Sequence, residues 1–181
     1  PDVYHQLEQC IQGIAEACRV LEVPVVSGNV SLYNESRGQA IFPTPVVGGL
    51  GLLEDAAKAT RSAFAAEGLV VGLLGADTLG TEVNDLAGSE YLQRVHRRVE
   101  GSPKIDIDLE KRVQRVCREA SDRGLITSDH NCSEGGLAVA LAECSIQGGI
   151  VFTGEFSVAD RWDVTLFGER QSRIVVGLPE D

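Results

Sequence analysis

No apolar run in this chain approaches the roughly 20 residues that a helix needs to cross a bilayer. The N-terminus shows neither the basic start nor the apolar stretch of a secretory signal, so the expected compartment is the cytoplasm. Basic residues are scarce, with 16 Lys and Arg against 27 Asp and Glu and a formal charge of −11. That balance repels a phosphate backbone. The nearest basic cluster, RVHRRVE at 94–100, is short and offset by acid, and reads as a solvated helix face. Neither nucleic acid nor a membrane is an expected partner. CxxC pairs are missing and the five cysteines are odd in number, which argues against a zinc site and against a disulfide framework. Cys10, Cys18 and Cys117 fall on apolar helical faces, where a thiol packs as a small hydrophobe. Tandem repeats, coiled-coil heptads and low-complexity tracts are absent as well.

What is present is a chain of 181 residues, 43% hydrophobic, enough for one large domain or two small ones. It starts Pro1-Asp2 without methionine and enters a helix at once, as a piece of something longer would. Val3, Leu7, Ile11, Ile14, Cys18 and Leu21 recur at three- and four-residue steps, which predicts a helix over 3–21 with Asp2 as its N-cap. VPVVS (23–27), VSLYN (30–34) and TPVVGGLGLL (44–53) then read as extended segments, the last loosened by glycines. The polar, alanine-rich stretch 54–68 separates these from a new strand at 69–75, and a domain boundary is expected near 60. The division is thus 1–60 and 61–181.

Beyond it the pattern predicts a glycine- and acid-rich loop (76–88), a helix opened by Ser89, and a helix over about 107–123. A strand and loop follow at 124–136, then a helix from about 135 to 147. GIVFTG, DVTLFG and RIVVGL read as closing strands. Strands and helices mix without strict β-α-β alternation, so the expected class is α+β, a layered α/β sandwich with a mixed sheet.

Four stretches can carry chemistry. In SGNVS an extended backbone would send Ser27, Asn29 and Ser31 to one face and Val26 and Val30 to the other. Gly28 would let a ligand approach the backbone, Asn29 offers a carbonyl oxygen suited to a hard cation, and Ser31 can donate to a phosphate. The competing reading is a β-turn in which Gly28 supplies an unusual φ and Asn29 bonds its own backbone; spacing alone favours that turn. In SDHNCSEGGLAVALAE (128–143), Ser133 is placed to cap a helix whose paired glycines expose backbone N–H groups to anions, with Asp129, His130 and Glu134 crowding the mouth. A capped helix with solvated acids explains the same residues. LAGSEYL (86–92) and FGERQSR (167–173), where Glu169, Gln171 and Arg173 would alternate on a strand, fit either surface or site.

Taken in order, PVVSGNVSLYNES, PTPVVGGLGLLED, LAGSEYL, HNCSEGGLAVALAE and LFGERQSRIVV resemble the second half of the phosphoribosylformylglycinamidine synthase family, large synthetase component, within the aminoimidazole ribonucleotide synthetase-like superfamily. The resemblance spans nearly the whole chain. It implies that residues 1–60 are the end of a second N-terminal type domain, which carries nucleotide-site residues, and that 61–181 are most of a second C-terminal type α/β domain. It implies ATP and Mg2+ as cofactors, with Gly28 contacting ATP, Asn29 holding magnesium and Ser31 touching the formylglycinamide ribonucleotide substrate. His130 and Glu134 are candidates for an auxiliary nucleotide site. Family members usually carry aspartate where this chain has Asn131 and Glu134, and often glycine where it has Ala87.

The implied reaction is an ATP-dependent ligation of purine biosynthesis that turns an amide into an amidine, with ammonia released from glutamine displacing phosphate. The implied partners are the remainder of the synthetase, a glutaminase subunit or domain and a small accessory subunit. No catalytic residue is expected in the chain itself, so by itself it should be inactive. The alternative is a non-catalytic scaffold half that holds a structural nucleotide and docks the catalytic half. Missing partner strands for residues 23–53 would leave an open sheet edge through which the chain could pair with itself.

Overall fold

The computed structural model describes residues 2–33, 35–41, 43–75, 79–80, 82–158 and 161–180. Two compact units divide the chain, Pro1–Leu52 and Leu53–Asp181. Residues 60–64, which composition places at the boundary, are tied into the second unit. Thr60 Oγ1 donates to Asp129 Oδ2, Asp129 N donates to Arg61 O at 3.0 Å, and Phe64 N donates to Cys144 O at 3.1 Å.

The first unit opens with α1 (Asp2–Leu21), so the helical period reads through to structure. Asp2 is the first helical residue rather than a flanking cap. Leu7, Cys10, Ile14, Cys18 and Leu21 lie along one half-buried stripe, yet no residue of the helix is fully buried. Glu22 at φ 60° ends the helix, and Val23 N donates back to Cys18 O at 2.9 Å. The strands expected over 23–27, 30–34 and 44–53 do not form among the described residues; Asn34 lies outside them. The pairing in this unit is a two-residue hairpin of β1 (Glu35–Ser36) and β2 (Gln39–Ala40), turned by Arg37 and Gly38, both at positive φ as a type I′ turn requires. An extended segment gains stability only from neighbours that pair with it and cover one face. Here Val26 is 90% exposed, Val46 93% and Leu52 95%. The expected apolar surface is present; among the described residues the sheet of this unit is only the two-residue β1–β2 hairpin, not the longer strands whose open edge the sequence predicts.

The second unit holds a three-stranded antiparallel sheet in the order β3 (Val70–Leu74), β5 (Ile174–Leu178), β4 (Ser128–Asn131). Leu73 pairs with Val175, and His130 pairs with Val175 from the other side. The one parallel pairing among the described residues is an isolated bridge between Arg61 and Ser128. Period two along β5 sends Val175 to one face and Ile174, Val176 and Leu178 to the other. On the first face Val175 joins Phe64, Leu137, Ala140, Leu141 and Cys144, so α4 (Gly136–Gly148) covers it. On the second face Val176 meets Cys117, Ala120 and Ile126, so α3 (Ile107–Asp122) covers that one. Val175 and Val176 are 1% and 2% exposed, and each such burial is worth about 1.5–3 kcal/mol. The result is the α+β, layered arrangement that the sequence pattern predicts.

Two short helices complete the unit. α2 (Glu90–His96) starts at Ser89, whose Oγ accepts from Leu92 N at 3.3 Å, as its sequence predicts. α5 (Trp162–Phe167) replaces the strand expected at DVTLFG. Six residues of alternating polarity do not distinguish the two structures. Both neighbours of β5 are already taken, and Asp163 receives Arg161 Nε at 3.0 Å at the helix start, so the segment coils instead. GIVFTG also forms no strand; Ile150 and Phe152 still pack inward, but nothing hydrogen-bonds the segment to β3. Among the described residues no helix is long and apolar enough to cross a membrane.

Candidate functional site

Gly28, Asn29 and Ser31 are all exposed, on an irregular run of the first unit. Gly28 does not adopt the left-handed φ that its reading as a turn residue requires, and a Cβ built on it meets nothing within 4 Å. Neither turn geometry nor close packing therefore explains the glycine among the described residues. The amide of Asn29 is open to approach, an oxygen ligand of the kind magnesium takes. One amide oxygen is a single ligand, and no group of three His, Cys, Asp or Glu side chains able to hold a metal occurs among the described residues. Asn29 thus fits a cation whose other ligands come from elsewhere, such as nucleotide phosphates.

In the second unit the HNCSEGG stretch turns sharply into α4. Gly135 is the N-cap at φ 82°, and Gly136 follows at φ 69°. The expected Ser133 side-chain cap is not made; Ser133 contributes its carbonyl oxygen, which accepts from Gly136 N at 3.0 Å. The helix entrance is filled from a distant part of the chain: Glu169 Oε1 accepts from Gly135 N at 2.7 Å. The same oxygen accepts from Glu90 N, at the start of α2, at 2.8 Å. The anion expected at the paired glycines is therefore the protein's own carboxylate. Glu169, Gln171 and Arg173 do not alternate on a strand; residues 169–173 form a bend with Ser172 at φ 62°, and β5 begins only at Ile174.

His130 and Glu134 occupy different settings. His130 Nε2 lies 3.1 Å from Glu143 Oε2 on α4, and its Nδ1 lies 2.8 Å from the Asn131 carbonyl oxygen. Glu134 is exposed in the turn before α4. The pairing across β4 and α4 is a structural use of the histidine, and any ligand role would have to work around it.

The sequence does not single out Asp85. Asp85 sits where the acid-rich loop meets α2; of that loop, residues 76–78 and 81 lie outside the described residues. Burial pushes the Asp85 carboxyl above the usual carboxylate range, and the guanidinium groups of Arg170 and Arg173 oppose that rise. Arg173 is 3% exposed and donates through Nε to Arg170 O at 3.3 Å and through Nη2 to Gly168 O. Asp85, Glu169, Arg170 and Ser172 line part of an open cavity of about 370 Å³. A ring cluster adjoins it in sequence: Tyr91 stacks on Phe167 with centroids 5.0 Å apart, and Trp162 meets both edge-on. The thiols are packing groups; burial pushes Cys117 and Cys144 up to about 11, so neither is a thiolate nucleophile near neutrality.

The chain is 48% identical to the phosphoribosylformylglycinamidine synthase subunit PurL of Thermomicrobium roseum, over 99% of this chain and 24% of that protein. It is also 48% identical to the protein of the same name from Synechococcus sp., over 98% of this chain and 23% of that one. The chain thus spans about a quarter of the length of the curated relatives it matches. Among solved structures, Thermotoga maritima PurL complexed with FGAR superposes with a TM-score of 0.54, at 17% identity, over 68% of this chain and 22% of that one, a likeness of fold. The model of the AIR synthase related protein N-terminal domain matches residues 1–53, and that of the C-terminal domain matches residues 52–181. With the two family models together matching residues 1–53 and 52–181, the chain belongs to the AIR synthase related protein family.

Proposed function

We propose that this chain is part of an ATP-dependent, amidine-forming ligase, and that its own contribution to the active site is the exposed SGNVS stretch. The observation that carries the reading is the exposed, unpacked backbone at Gly28 beside the exposed Asn29 and Ser31; among the described residues no turn φ and no close contact requires the glycine, as is also true of Gly48, Gly49 and Gly51. Gly28 lets a nucleotide approach, Asn29 gives one oxygen to magnesium, and Ser31 donates to the substrate. The relatives' name specifies the amidine product, and the reaction proposed for the whole enzyme is that formylglycinamide ribonucleotide, ammonia and ATP give the amidine, ADP and phosphate. Bound magnesium would offset phosphate charge, and the chain's residues would position the reactants. The remainder of the synthetase, a glutaminase and a small accessory subunit are the proposed partners.

A second reading is favoured by the second unit. The Glu169 carboxylate is spent on helix entrances and His130 on Glu143, so this unit serves as a scaffold that docks the catalytic portion.

The purified chain incubated with ATP, ammonia and formylglycinamide ribonucleotide is expected to give no turnover, since no catalytic residue is expected in it and it spans about a quarter of the length of the relatives it matches. Turnover comparable to an intact synthetase overturns the proposal. The exposed valines and leucines of residues 23–53 are expected to pair with each other in the isolated chain. Sedimentation at rising concentration should therefore show self-association, and a strict monomer at high concentration would count against it.

A further inference from the structure

The carboxylate of Glu169 connects stretches that are far apart in sequence. Its Oε1 accepts from Glu90 N at 2.8 Å and from Gly135 N at 2.7 Å, so one oxygen serves the entrances of α2 and α4. Its own backbone N donates to Asp85 O at 2.8 Å, which fixes the bend that carries it. Three of the motif stretches, LAGSEYL, HNCSEGG and FGERQSR, therefore meet at this residue. Each donor is an N–H that the helix cannot satisfy internally. A carboxylate at a helix start also gains from the helix dipole, and here one charge collects that gain from two helices.

Serine at the usual capping position does not replace it. Ser89 Oγ is committed to Leu92 N, and Ser133 does not reach α4 with its side chain. Gly136 lets the end of α5 approach, with Leu166 O, Phe167 C and Gly168 O crowding the space a Cβ would take. The chain thereby brings Glu169 to the entrance by backbone contact, and the carboxylate completes the joint.

The geometry points to Glu169 as a positioning residue, a latch that makes the starts of α2 and α4 open and close together. This holds whether or not the SGNVS stretch binds nucleotide. Shared occupancy of one oxygen has a consequence that two separate caps would not have: loss of the latch must release both amides at once.

Amide hydrogen exchange on the full chain tests this, with Val175 and Val176 of β5 as the internal reference. In Glu169→Ala, the Glu90 and Gly135 amides are expected to exchange faster by about tenfold or more relative to that reference, and by similar factors. Glu169→Gln keeps an acceptor of the same reach without the charge, and is expected to restore most of the protection at both amides. If the alanine variant does not fold, the glutamine variant decides the matter, because its smaller acceleration must still be shared by both amides. Unchanged exchange in Glu169→Ala, or acceleration at one amide alone in either variant, overturns the latch.

Discussion

Gly136→Ala is expected to destabilise the chain by about 2–5 kcal/mol, the sum of a left-handed backbone cost of roughly 1–2 kcal/mol for a residue with a Cβ and an overpacking cost of roughly 1–3 kcal/mol. Gly136 stands at φ 69°, and an added Cβ would lie 2.6 Å from Gly168 O and 2.9 Å from Phe167 C. Those are backbone atoms, which cannot rotate aside as a side chain can. At about 2–4 °C per kcal/mol for a chain of this size, the midpoint of thermal unfolding should fall by roughly 4–20 °C. Gly149→Ala is the matched control, since Gly149 has φ 65° but nothing within 4 Å of a Cβ. It should lose only the conformational part, roughly 1–2 kcal/mol. Equal losses in the two variants would mean that the close approach of the chain after α5 to the start of α4 is not as described.

Asn29→Ala, made in an intact synthetase that contains this chain, is expected to reduce turnover by at least about 100-fold. Partners one step removed from a metal cost about 10–100-fold when lost, and a direct ligand should cost no less. Stability should hardly change, because Asn29 is exposed and its stretch has no packed core to lose. Steady-state kinetics at several magnesium concentrations, beside a thermal melt, separates the readings. Loss of turnover that is partly restored by added magnesium supports the ligand role. Full turnover with a lowered melting point supports the scaffold reading and removes Asn29 from the site.

The legible parts of the fold are those with a strong local period. The three- and four-residue steps of α1, the Ser89 start of α2, the span of α3 and the apolar run of β5 all read from sequence to structure with small shifts at the ends. The misread parts depend on neighbours. TPVVGGLGLL has strand composition but no partner strand among the described residues, and DVTLFG has strand alternation but lies where both places beside β5 are occupied. Gly28, Asn29 and Ser31 could be nominated from residue chemistry and family resemblance, and Gly28 gained a physical argument only once its φ and its surroundings were known. Glu169 could be singled out as part of a motif but not given its task, because its two amide partners are 79 and 34 residues away.

The amino-acid order by itself determined the helix periods, the net acidic character, and the polar and glycine residues of the SGNVS stretch, because each of these is a property of neighbouring residues or of their sum. Only the tertiary structure decided which extended segments became strands, which helix entrances Glu169 would satisfy, and that His130 would be taken by Glu143. Those outcomes turn on which buried polar group finds a partner across the fold, and a backbone N–H or a carboxylate has no way of announcing its distant partner in the local sequence.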